Sequence, residues 1–305
     1  MNDNAERPAK ALAPWRLTEV PPKPELAASI GTFFYFRLAS KDEAHERRVI
    51  VMANPSVDLV INLGDPFTLE TFGDSQRVER GATLHGPRPA TTFLRREGEL
   101  VLVGARFKHG AAASLLPYPV KELEQRHVPL QDLLHEEALE LADQVRQGNG
   151  PADQLKRLET GLVKVLARMK KPDPMVRKAV KLIAQHQGDL EVSALAEQLG
   201  VSRQTVKHKF DQHVGVSPKL FGKLRRFQAV LRRLANLSKP DWTKLAQESG
   251  YYDQAHLIRE FNHFTGFSPQ KFLNNLARAE DLYLFDSADQ TQFHLAGRFK
   301  ALSNP

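Results

Sequence analysis

The sequence predicts an α+β protein. A small antiparallel β-barrel or sandwich with trailing helices is followed by an all-α unit made of two similar halves. Three observations carry this reading. Short apolar stretches divided by turn residues fill positions 31–107, and helical periodicity takes over after Ala111. The pattern Gly-x-Ser-Pro then occurs twice, with Gly215 and Gly266 placed 51 residues apart.

At 305 residues the chain has room for about two domains. Its 41% hydrophobic content supports ordinary cores. No apolar run approaches the roughly 18 to 20 residues of a membrane span, so no membrane partner is expected. The opening "MNDNAERPAKALAPW" lacks the apolar centre of a signal peptide. The absence of cysteine removes disulfides, thiolate catalysis and Cys-based zinc sites together. A cytoplasmic protein is the expectation. The net charge is +7, and its placement matters more than its size. Residues Pro172–Asp281 hold 17 Lys and Arg against 11 Asp and Glu, while the remainder holds 26 against 25. A basic segment on a neutral one points to a polyanionic partner.

Residues 1 to about 28 are Pro- and Ala-rich and expected to be loose at the start. "TFFYFRL" (Thr32–Leu38), "FTLETF" (Phe67–Phe72), "VDLVINL" (Val57–Leu63) and "ELVLVGARF" (Glu99–Phe107) read as strands, divided by "NPS", "GDP", "FGDS" and "GPRP". "HEEALELADQVRQ" (His135–Gln147) and "ADQLKRLETGLVKVLARM" (Ala152–Met169) read as helices. "KKPDP" (Lys170–Pro174) marks a stop. The expected division is therefore 1–170, a β-rich domain ending in helices; 172–282, the helical unit; and 283–305, a tail.

The two halves of the helical unit agree beyond the tetrapeptide. "LAEQLGVSRQTVKHKFDQHVGVSPKLF" starts at Leu195 and "LAQESGYYDQAHLIREFNHFTGFSPQKF" at Leu245, with one extra residue after the glycine in the second. Each begins with a short amphipathic helix ended by Gly200 or Gly250, where a left-handed cap is cheap only for glycine. Ser202 and Asp253 suit the N-cap of the next helix. That helix buries Val206, Phe210 and Val214, or Leu257, Phe261 and Phe264. Helix, Gly-containing turn, helix is the form of a helix-turn-helix. Gly-x-Ser-Pro is the corner that follows: glycine ends one helix, serine caps the next, and proline takes its first turn. Between the copies, Pro218–Leu237 reads as one helix of about 30 Å, with Leu224, Phe227, Leu231 and Leu234 as its apolar stripe. Arg225, Arg226, Arg232 and Arg233 are expected to project elsewhere, as a solvated face or toward phosphates.

On these residues, about 174–282 resembles the DNA-binding domain of the AraC/XylS family of bacterial transcription regulators. "GYYDQAHLIREF" carries the likeness most specifically, and the first copy is looser. The resemblance implies two helix-turn-helix units, each placing a recognition helix in the major groove of double-stranded DNA. Those helices are Ser202–Phe210 and Asp253–Phe261. Removing buried positions leaves Ser202, Arg203, Gln204, Lys207 and His208 on the first and Gln254, Ala255, His256 and Arg259 on the second. Arg can bridge guanine acceptors, Gln can pair with adenine, and Ala can meet a thymine methyl. The same cations can instead serve phosphates.

In such regulators the front domain is often a cupin-like barrel that senses a ligand or dimerises. "VDLVINLG", "GATLHGP" and "GARFKHGAAASLL" resemble a poorly understood N-terminal domain found in some of them. The implied partners are a small-molecule effector, RNA polymerase and a second copy of the chain. His45, His85, His109, His127 and His135 are scattered singly, without the clustered ligands of a metal site, so neither metal nor cofactor is expected. Arg106 and His109 have a fold-internal reading beside that of meeting an anionic effector. Two alternatives stand beside the regulator: an enzyme fused to DNA-binding helices, and an architectural DNA binder. The first lacks any nucleophile–base pattern. The second does not require two different recognition surfaces.

Overall fold

Residues Ile30–Leu38 show how the front half is layered. Successive side chains of a strand point to opposite faces, yet Phe33 and Tyr35 are buried, and so are Phe34, Phe36 and Leu38. Such a strand must lie between two layers. The computed structural model describes residues 15–39, 49–71, 74–96, 98–234, 240–277, 282–286 and 292–294. The front strands are β1 (Trp15–Val20), β2 (Ile30–Leu38), β3 (Val49–Val51), β4 (Asp58–Asn62), β5 (Phe67–Thr71), β6 (Asp74–Val78), β7 (Gly81–His85), β8 (Thr92–Arg96), β9 (Leu100–Phe107) and β10 (His127–Pro129). Helices α1 (Gln131–Leu134), α2 (Glu136–Arg146) and α3 (Pro151–Ala167) follow.

One sheet has the order β1-β2-β9-β4-β7-β10. Its outer face packs Phe33, Tyr35, Leu59, Ile61 and Val103 against Leu141, Leu155, Leu158 and Leu162 of α2 and α3. Its inner face packs Phe34, Phe36, Val60 and Leu102 against Val49, Phe67 and Leu94 of the second sheet. Helical apolar spacing and strand alternation thus meet in one layer. The α+β class expected from the sequence is what the structure shows.

The helical unit comprises α4 (Pro174–Gln185), α5 (Val192–Leu199), α6 (Arg203–His213), α7 (Pro218–Leu234), α8 (Trp242–Glu248), α9 (Gln254–Thr265) and α10 (Pro269–Ala277). Beyond it lie β11 (Leu282–Asp286) and β12 (Gln292–His294). These two change the reading of 283–305 as a tail. β11 runs parallel to β3, so the second sheet has the order β12-β11-β3-β8-β5-β6. The chain returns to its first domain after completing the second. Within the Pro- and Ala-rich opening, residues 15–20 pair along β2 as β1. Residues 1–14 lie outside the described residues, as do 235–237 of the expected Pro218–Leu237 helix.

One polar group lies within the sandwich. Register places Asp58 of β4 between Arg106 of β9 and His85 of β7. Arg106 donates to both Asp58 oxygens, at 2.8 and 2.9 Å, and Arg88 donates from the other side at 3.2 Å. Burial opposes the Asp58 charge, but Arg106 and Arg88 outweigh it and hold the carboxyl at about 2. Arg106 therefore takes its fold-internal role.

His85 touches Thr83 Oγ1 at 2.8 Å and stacks on His127 at 5.3 Å. Burial, then the neighbouring His127 and Arg88, lower its pKa from 6.5 to about 3, against the opposing pull of Asp58. Between those values the unfolded chain binds a proton that the folded chain refuses. Stability therefore falls as pH drops from 6.5 toward 3, by up to about 1.4 kcal/mol per unit for one such group. Replacing His85 with Gln is expected to remove about one proton's worth of this slope. Urea unfolding between pH 4 and 6.5 measures it, and equal slopes in both proteins would show that His85 titrates normally.

Candidate nucleic-acid interface

The first helix-turn-helix is α5 and α6. Gly200 ends α5 in the left-handed region at φ 69°, and the Ser202 hydroxyl accepts from Thr205 N at 3.0 Å to start α6. Val206 and Phe210 face a core shared with Val176, Ile183, Leu195 and Phe221. The second is α8 and α9. Asp253 accepts from His256 N at 2.6 Å to start α9, and Leu257, Phe261 and Phe264 face a second core with Leu224, Phe227, Leu231 and Leu245. The corners repeat as expected. Ser217 accepts from Leu220 N, Ser268 accepts from Lys271 N, and Pro218 and Pro269 open α7 and α10.

The nine candidate side chains divide by environment. Ser202, Arg203, Gln204, Lys207 and His208 are exposed on α6 and at its cap. Gln254, Ala255 and Arg259 are exposed on α9. Gln254 also accepts from Thr243 Oγ1 of α8 at 3.2 Å, which fixes one end of its amide. His256 is half-buried, edge-on to Tyr251 at 5.2 Å and 3.5 Å from Glu260. It belongs as much to the frame of the second unit as to its surface. Tyr252, which sequence reasoning passed over, is 91% exposed at the turn into α9. Two adjacent tyrosines give no signal of which one the core takes.

The linker arginines need a correction. Arg226 does not project into solvent: it is buried at the junction of both units. It donates to Gly188 O at 3.1 Å, lies 3.3 Å from Asp189 and 3.2 Å from Glu260 of α9, and sits over the Tyr251 ring at 5.4 Å. Lys223 reaches Glu260 at 3.2 Å from the same helix. Burial, then Glu260, pushes the Tyr251 phenol up, so it stays neutral. The path is close enough that a Cβ on Gly222 would come within 2.5 Å of Gly188 O. Helix α7 is thus a brace, with 17 residues spanning about 25 Å.

The front domain grips both corners. Thr91 N and Oγ1 both donate to the Phe264 carbonyl, at 3.2 and 2.7 Å. A Cβ on Gly215 would come within 2.9 Å of Pro87. Ile50, Met52 and Ala53 share the core of the second unit. His109 meets Phe221 of α7 edge-on at 4.9 Å, and burial, then Arg225 and Arg106, lower its pKa to about 3. Among the described residues no three His, Asp or Glu gather as metal ligands. His45 lies outside them.

Comparison with known proteins decides the type of the helical unit. Residues 195–275 match a family described as a helix-turn-helix domain. The C-terminal unit is an AraC-type helix-turn-helix domain. Residues 18–129 match a domain of unknown function, DUF6597. An uncharacterized HTH-type transcriptional regulator of Haemophilus influenzae is 29% identical over 98 residues, 32% of this chain and 33% of that protein. The match spans about a third of that relative's length. The crystal structure of ToxT from Vibrio cholerae is similar over 85% of this chain and 98% of that one, at 12% identity and a TM-score of 0.44. The C-terminal domain of AraT, a response regulator from Geobacillus stearothermophilus, is similar over 34% and 86%, at 26% identity and a TM-score of 0.32.

The AraC-type domain depends on the Arg226 node in a measurable way. Removing Arg226 takes the buried guanidinium from Glu260 and leaves it the half-exposed Lys223, so the cost falls toward the lower end of that for breaking a buried pair, about 3 kcal/mol. Arg226→Ala is expected to lose about that much stability in urea unfolding. Arg226→Met with Glu260→Met is expected to recover most of it, since an apolar pair leaves no charge behind. A double variant less stable than Arg226→Ala would reject this account.

Proposed function

We propose that the chain is a sequence-specific DNA-binding transcription regulator, without enzymatic activity, whose front domain receives a small-molecule effector. The observation that supports this most is the pair of braced helix-turn-helix units with polar, basic faces left exposed on α6 and α9. Arg203 and Arg259 are assigned to guanine, Gln204 and Gln254 to adenine, and Ala255 to a thymine methyl. Lys207 and His208 extend the first surface, while Ser202 and His256, at the helix starts, serve the phosphate backbone. The two surfaces differ residue by residue, which favours sequence reading over architectural binding. RNA polymerase and a second copy of the chain are further partners of this reading, and the cytoplasm its place. No helix among the described residues is long and apolar enough to cross a membrane.

Selection of a bound site from a random duplex library supplies the operator for these tests. If the six excess positive charges of 172–281 each neutralise one phosphate, log K falls with log salt at a slope of about −5. Arg259→Ala is expected to weaken operator binding by about ten-fold or more while changing affinity for unrelated DNA little. Uniform weakening on both would assign Arg259 to phosphate. A folded protein with no DNA binding at low salt would reject the function itself.

The brace generates a further expectation. Two rigidly held recognition helices engage half-sites in fixed phase, so inserting about five base pairs turns one half-site to the opposite face. Simultaneous engagement is then lost, and affinity drops sharply. Inserting about ten base pairs restores the face but overstretches the span, so it does not rescue binding. Equal affinity for the parent and five-base-pair sites would show that one unit alone reads DNA.

A further inference from the structure

Helices α8 and α9 begin beside each other, and a side-chain hydrogen bond joins the two starts. Asp241 accepts from Thr243 N at 3.0 Å and fixes the first turn of α8. Asp253 accepts from His256 N and fixes that of α9. Across the gap, the Thr243 hydroxyl donates to Gln254 Oε1 at 3.2 Å. The proton has a reason to go there. A threonine inside a helix can give it to the carbonyl one turn back, but α8 begins at Trp242, so Thr243 has no such helical carbonyl. Both side chains are exposed, so neither is placed there to fill a core.

The bond answers a problem that glutamine poses. Its carboxamide has an acceptor end and a donor end, and a half-turn of the last torsion exchanges them. An unheld glutamine therefore offers a donor to guanine as readily as a donor and an acceptor to adenine. Holding Oε1 removes the choice. That oxygen keeps a second lone pair, so the amide can accept from both Thr243 and adenine N6 while Nε2 donates to N7. Guanine presents O6 where adenine presents N6, and two acceptors would then face each other. The first unit supplies the contrast. Aligned on Leu195 with Leu245 and on Ser202 with Asp253, its counterparts of Thr243 and Gln254 are Ser193 and Arg203. A guanidinium only donates, so it has no ends to exchange and needs no such hold.

Resting on the regulator reading above, we propose that Thr243 is a specificity-determining residue outside the recognition helix: its hydroxyl holds the Gln254 amide in the orientation that takes adenine and refuses guanine. It is a positioning residue, acting through Gln254 without a base contact of its own.

Selection from a random duplex library, followed by titration of the selected sites, tests this on the full chain. Gln254→Ala is expected to erase the preference at one base pair, which identifies the position that this side chain reads. At that same base pair, Thr243→Val keeps the side-chain shape, loses the hydroxyl, and is expected to lower the preference for adenine over guanine about five-fold or more. Preferences elsewhere in the site are expected to stay, and the loss is not expected on unrelated DNA, where no base is read. Thr243→Ser returns the hydroxyl and is expected to restore the preference. In the Gln254→Ala background, Thr243→Val is expected to change nothing more, because the two residues act as one. Thr243→Ala, a second removal of the hydroxyl, is expected to match Thr243→Val. An adenine preference unchanged in both variants, or a loss that Thr243→Ser does not restore, would overturn the proposal. A further loss in the Gln254→Ala background would give Thr243 a DNA contact of its own and overturn it equally. A folded parent that enriches no sequence would reject the regulator reading and this proposal with it. A parent with a clear operator and unaffected Thr243 variants would reject the proposal alone.

Discussion

Arg226 is the interaction on which the helical unit depends. A guanidinium taken out of water must be paired and hydrogen-bonded where it lies. Its partners come from three separate segments: the α4–α5 turn at Gly188 and Asp189, the α8–α9 turn at Tyr251, and Glu260 on α9. Satisfying one side chain therefore fixes both helix-turn-helix units against α7. Apolar packing alone would hold α7 in place, but it is tolerant of small rotations. Directed hydrogen bonds are less so, and rotations of α7 are what would change the spacing and phase of the two recognition surfaces.

The same economy of contacts joins the two domains. Ile50, Met52 and Ala53 leave the front sandwich to complete the core around Phe227 and Phe264. Apolar surface of that kind is expensive to expose, so the two halves do not behave as beads on a string. The chain also returns, through β11, to pair with β3 one residue before Met52. The strand that leads into the inter-domain core and the strand that follows the helical unit lie side by side. Through that junction the front domain fixes where α9 sits.

Local chemistry was legible in the sequence, and long-range chemistry was not. Ser202, Asp253, Ser217, Ser268, Pro218 and Pro269 cap or open the helices that their residue types imply, because a cap is settled within four residues of chain. The strands of β2, β4 and β9 were visible for a similar reason: both of their faces are buried, so they read as apolar runs. Strand β6, Asp-Ser-Gln-Arg-Val, is mostly exposed and carries no apolar alternation, and no composition signal announces it. Arg226 misled because a basic residue on a helix is usually solvated. Its burial depends on Glu260, 34 residues away. That residue sits next to Phe261 on the buried side of α9, where a carboxylate requires an explanation. A buried acid in one element and an arginine among apolar residues in another are a pair worth seeking, though the sequence does not say which arginine. The docking of Thr91 on Phe264, 173 residues apart, left no mark in the sequence at all.

The two copies of the corner are alike in sequence but are held differently by the front domain. The first corner meets the front domain by steric contact at Gly215, where Pro87 and Val120 leave no room for a side chain. The second meets it by hydrogen bonds from Thr91 to a carbonyl already near the helix end. Steric contact resists approach and permits withdrawal, whereas a hydrogen bond resists withdrawal over a few tenths of an ångström. The Pro87 side of the front domain therefore limits approach of the first unit, Thr91 limits withdrawal of the second, and Arg226 joins the two units to each other.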